Sequence, residues 1–149
     1  MVGKFRWLAV LGLLLAGPAQ AQTARAVLDG FGFFGKWSPH CDQPAGPGNS
    51  LRHAFVTSTG DVRFTESLGE KYKDNVYVVL TAKRLGGDQV LLLIELNGTT
   101  TQRLTMLKQE GRIRTISNKG GDGHFVVRDG FVLSNRQPTP WLSRCGDKR

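Results

Sequence analysis

The residues able to carry chemistry are few and scattered. His40, His53 and His124 are the three histidines, and they lie far apart with no ligand-like spacing, so no metal site is legible. His40-Cys41-Asp42 sets a base, a thiol and a carboxylate side by side, the residue types of a thiol nucleophile with its base. Neighbours in an extended segment point to opposite faces, however, which leaves His40 poorly placed to take a proton from Cys41. No GxSxG, HExxH or phosphate-cradling glycine loop is present. Asp42, Asp61 and Asp122 all stand in turn-like contexts, where aspartate is expected for local backbone reasons. The chain therefore reads as a non-enzyme with no cofactor and no metal, and its sequence specifies no activity.

The cysteines take their meaning from the N-terminus. Lys4 and Arg6 form a positive start, residues 7–17 an apolar core, and Ala19-Gln20-Ala21 a small-x-small cleavage pattern. The apolar run is shorter than the roughly 20 residues a membrane span needs. Residues 1–21 are thus expected to be a signal peptide and residues 22–149 a single periplasmic or secreted domain. Losing Lys4 and Arg6 takes the formal charge from +8 to +6. In an oxidising compartment Cys41 and Cys145, the only two cysteines, are expected to form a disulfide rather than remain free thiols.

The elements that must position these residues are short. Residues 23–29 allow one or two helical turns ending at Gly30. Beyond them, runs rich in Val, Ile, Thr, Phe and Leu alternate with turn signals: 31–37, 51–57, 62–66, Asn75–Arg84, Gln89–Leu96, 99–108, 112–116, 124–128, 131–133 and 141–145. Asn97-Gly98 is the strongest hairpin signal, since both central positions of a type I′ turn need positive φ. The pattern predicts an all-β fold: an antiparallel up-and-down meander of about eight strands closed into a small barrel, with a sandwich as second choice. A Cys41–Cys145 bridge would bring the first and last strands together, as closure requires.

Alternation assigns faces. Val76, Val78, Leu80 and Ala82 share one side of their strand, and Val90, Leu92, Ile94 and Leu96 one side of the next; these form the expected interior lining, either filled by side chains or holding one small ligand. Val79, Leu91 and Leu93 then form an outer apolar patch, covered by residues 24–28 or left as a contact surface. Basic residues recur in the second half, among them Lys83, Arg103, Lys119 and Arg128. On an exported chain they have little access to nucleic acid; an anionic envelope glycolipid, an acidic protein or plain solvent is the expected neighbour.

Gly35-Lys36-Trp37 in the first strand, a meander, and Arg144 on the last strand resemble the calycin plan of lipocalins and avidins. That resemblance implies structural roles for Gly35, Trp37 and Arg144: the tryptophan closes one barrel end and the arginine packs across its ring. The lipocalin T-D-Y motif is absent, and Ser38-Pro39-His40-Cys41 does not match the polar residues that follow the avidin GKW, so the resemblance implies no particular ligand. The layout, with its TPWLSRC ending at residues 139–145, is also similar to small exported bacterial proteins. The expected function is an exported binding protein for a small apolar or amphipathic molecule or an envelope component. The alternative is an interaction or inhibitor protein with a filled core, acting on an envelope protein through loops 38–50 and 69–74.

Overall fold

The computed structural model describes residues 22–146; the expected signal peptide at 1–21 lies outside them. The chain is one ten-stranded antiparallel sheet curled into a half-barrel, with one short helix. Helix α1 spans Ala24–Phe31 and is followed by β1 Gly35–Ser38, β2 Leu51–Val56, β3 Val62–Ser67, β4 Asn75–Arg84 and β5 Gln89–Leu96. Then come β6 Thr100–Gln109, β7 Arg112–Gly120, β8 Phe125–Arg128, β9 Phe131–Val132 and β10 Ser143–Cys145. Consecutive strands pair from β1 to β9, and β10 returns to pair with β1. Residue Leu142, just before β10, also exchanges both backbone hydrogen bonds with Ile113 of β7, at 3.0 and 2.7 Å. Cys41 and Cys145 are disulfide-bonded, tying the loop after β1 to the end of β10. Among the described residues no helix is long and apolar enough to cross a membrane.

The turn chemistry is as local physics dictates. Asn97 and Gly98 both take positive φ, 50° and 74°, in the β5–β6 hairpin. Helix α1 begins where the Thr23 side chain accepts from the Ala26 N–H and ends at Gly32, in the left-handed conformation that a Cβ disfavours. The helix runs two residues further than its residue types imply and absorbs Phe31, expected to open the first strand. The reason is burial: Val27, Leu28 and Phe31 lie on one helical face and are all buried.

That face does not cover an outer patch. It closes the interior at the end where β4 meets β5 and β6 meets β7. There the Lys108 ammonium donates to the Phe31 carbonyl at 2.9 Å, and the Arg84 guanidinium lies 5.3 Å from the Phe31 ring. Phe33, Trp37, Val62, Val90, Leu92, Met106 and Ile113 fill this half of the barrel.

One face assignment is corrected. In β4 it is Tyr77 and Val79 that point inward, Val79 only 7% exposed, while Val76 and Leu80 are 37% and 46% exposed; Val78, between the two inward residues, takes the outer face too. Both parities of this strand are apolar, so alternation alone does not separate them. A β-bulge at Leu80 then shifts the register between Val79 and Thr81 and returns Ala82 to the inner side. Val90, Leu92 and Ile94 of β5 are inside as expected, each fully buried.

Candidate functional site

The other half of the barrel is not filled. A cavity of about 250 Å³ lies at the end opposite α1, where β2 to β9 converge with residues 139–142. Its apolar wall is Phe64, Ile94, Leu104, Val127 and Leu142. Its polar wall is Arg52, Glu66, Tyr77, Gln102, Asn118 and Thr115.

Strand pairing dictates how the charges enter. The hairpin turn at 57–61 sets Val56 opposite Val62 and therefore Arg52 opposite Glu66, on the face that carries Ala54 and Phe64. Arg52 is 8% exposed. Its guanidinium donates through Nη2 to Glu66 Oε1 at 3.3 Å and through Nη1 to Met106 Sδ at 3.7 Å, and it lies 5.2 Å from the Phe64 ring centre. Phe64 stacks on Tyr77 with centroids 4.4 Å apart, and the Tyr77 hydroxyl donates to Glu66 Oε2 at 3.4 Å. Burial, reinforced by the Glu66 carboxylate and opposed by Arg52, pushes the Tyr77 phenol up to about 12. Tyr77 is therefore a neutral hydrogen-bond donor at any physiological pH.

Asn118 enters by a second bulge. The β6–β7 register shifts so that Met106 faces Thr115 and Leu104 faces Asn118, with Ile116 as the extra residue. Asn118 Nδ2 donates to Gln102 Oε1 at 3.1 Å. Two shielded side-chain atoms of this wall have no protein partner: Arg52 Nε and Asn118 Oδ1.

Of the residues expected inside, only Ile94 lines the cavity; Val90 and Leu92 belong to the filled half, and Val76, Val78 and Leu80 are outside. The polar wall was not among them, and the available signal was the pairing of an arginine with a glutamate at inward positions of one hairpin. At the closed end, Trp37 is 1% exposed and its indole N–H donates to the Phe33 carbonyl at 2.7 Å. Arg144 faces Trp37 across the β1–β10 ladder, its guanidinium 5.8 Å from the ring. Gly35 has φ of 118°, and a Cβ there would lie 3.2 Å from Arg144 Nη2, so glycine suits both the backbone and the approach of the arginine.

His40, His53 and His124 are all exposed, and no group of three or more metal-ligating side chains occurs among the described residues. The two expected contact loops do meet. The Ala45 carbonyl lies 2.7 Å from where a Cβ on Gly69 would sit. Buried Asn49 organises the first loop by accepting from Ser38 Oγ and the His40 N–H and donating to the His40 and Pro44 carbonyls. Comparison with protein-family models, with curated proteins and with solved structures finds no match to this chain.

Proposed function

We propose that this chain is an exported, periplasmic or secreted, binding protein of calycin-like plan that holds a small amphipathic molecule in the open half of its barrel. The observation that carries the reading is the cavity itself: about 250 Å³, apolar on one side, with convergent polar groups on the other, the usual composition of a small-molecule site. The disulfide between Cys41 and Cys145 fits an oxidising compartment. The Gly35, Trp37 and Arg144 contacts support the calycin-like plan. The test is native mass spectrometry of the protein isolated from its own host. A retained non-covalent mass of a small molecule is expected; the bare chain in every preparation would overturn the reading.

A second reading rests on the joined loops. Residues 38–50 and 69–74 form one surface with Tyr72 exposed on it, which favours an interaction protein acting on an envelope protein. Under that reading the same preparation carries a protein partner, and Tyr72→Ala releases it.

A further inference from the structure

We infer that the cavity takes a neutral molecule of about ten non-hydrogen atoms that offers both a hydrogen-bond acceptor and an N–H or O–H donor on a small apolar body, with amides as the simplest class. This inference rests on the reading of the cavity as a ligand site.

Size comes first. An apolar cavity of about 150 Å³ accepts benzene, so about 250 Å³ suits a substituted six-membered ring.

Charge comes next. Arg52 and Glu66 are the only ionisable residues of the wall besides Tyr77, and they are paired with each other at 3.3 Å. An anion drawn to Arg52 has the Glu66 carboxylate beside it and a cation drawn to Glu66 has the Arg52 guanidinium beside it, so either meets a like charge at close range. A neutral guest leaves the pair intact.

Hydrogen bonding then sets the polar groups of the guest. A guanidinium has five N–H donors, and Arg52 uses one toward Glu66 and one toward the weak acceptor Met106 Sδ. Asn118 spends its amide N–H on Gln102 while its Oδ1 has no protein partner. The wall therefore has a surplus donor at Arg52 and a surplus acceptor at Asn118, the latter shielded until its amide turns toward a guest. Leaving such groups unmatched in a buried site is costly, and a guest that matches both is selected over one that matches neither. Two hydroxyls of the lining are already engaged, Thr139 with the Thr115 carbonyl and Tyr77 with Glu66.

Four ring compounds of similar size separate the possibilities: benzamide, benzoate, benzylammonium and ethylbenzene. Each is titrated into the disulfide-bonded domain while the backbone amide NMR signals of Arg52, Ile94 and Asn118 are followed. Benzamide is expected to saturate these signals and to bind at least about ten-fold more tightly than the other three. Asn118→Leu should remove most of the preference of benzamide over ethylbenzene. Should that variant not fold, the order of the four compounds on the unmodified protein decides alone. Tighter binding of benzoate or benzylammonium, or equal binding of ethylbenzene, overturns the ligand class and leaves the cavity a binding site. Unmoved signals with all four mean a cavity that holds only water, and both the class and the binding reading fall together.

Discussion

Tyr77 couples the chemistry of the cavity to the stability of the fold. Its phenol is raised to about 12 from an ordinary 10, chiefly by burial and then by Glu66. The folded state thus favours the protonated phenol more than the unfolded chain does. That contribution is complete below pH 10 and is lost as pH rises from about 10 to about 12. In a Tyr72→Phe background Tyr77 is the only tyrosine, so phenolate absorbance reports it alone; a midpoint near 10 would contradict the arrangement. Glu66→Gln removes a raising charge and leaves Arg52 to lower the phenol, so the midpoint should fall. Trp37 makes the corresponding point at the closed end. Trp37→Ala should cost about 3–5 kcal/mol in urea unfolding because the indole is almost wholly buried. Arg144→Ala, at an exposed stack, should cost only about 0.5–1 kcal/mol. A near-neutral Trp37→Ala would mean that the indole does not close the barrel. These residues differ in how readily the sequence discloses them. Trp37 and Arg144 stand out by type and position in the first and last strands, whereas Arg52 and Glu66 look like ordinary surface charges until the 57–61 turn fixes them opposite each other.

At the scale of elements, the strand whose alternation runs unbroken was legible and the bulged ones were not. In β5, Val90, Leu92 and Ile94 alternate with Leu91, Leu93 and Glu95 without interruption, and the face follows from the spacing. In β4 the apolar residues occupy both parities and Leu80 is an extra residue, so a period of two misplaces Val76, Val78 and Leu80. The same device in β7 carries Thr115 and Asn118 inward, three positions apart. A pair of substitutions tests the β4 register directly. Leu80→Asp should change stability by no more than about 0.5 kcal/mol, because the bulged side chain already meets solvent. Val79→Asp should cost about 3–5 kcal/mol or prevent folding, because it buries a carboxylate with no partner. The reverse order, measured by denaturant midpoints, would restore the simple alternation. Helix α1 was legible at its start, through Thr23, but not in its length, since only the tertiary burial of Phe31 extends it past Gly30.

At the scale of the whole molecule the question is what keeps a curled sheet from opening. Three features act on the same seam. The β1–β10 ladder is three residue pairs long, the Ile113–Leu142 bridge adds two hydrogen bonds to β7, and the disulfide ties Cys145 to Cys41. So short a ladder is weak by itself, whereas a cross-link over 104 residues removes a large part of the unfolded chain's freedom, about 4–5 kcal/mol in the chain-entropy account. The Cys41→Ala/Cys145→Ala variant should therefore lose up to about 4–5 kcal/mol of global stability. Hydrogen exchange should show where the seam yields. The amides of residues 142–145 and of Ile113 should lose protection before those of β5 and β6, whose long central ladder does not depend on the cross-link. The cavity borders this seam through Leu142 and Thr139, so opening it should also weaken ligand binding. If residues 142–145 remain as protected in the variant as in the cross-linked protein, the ladder and bridge close the barrel unaided, and the disulfide acts on the unfolded chain alone.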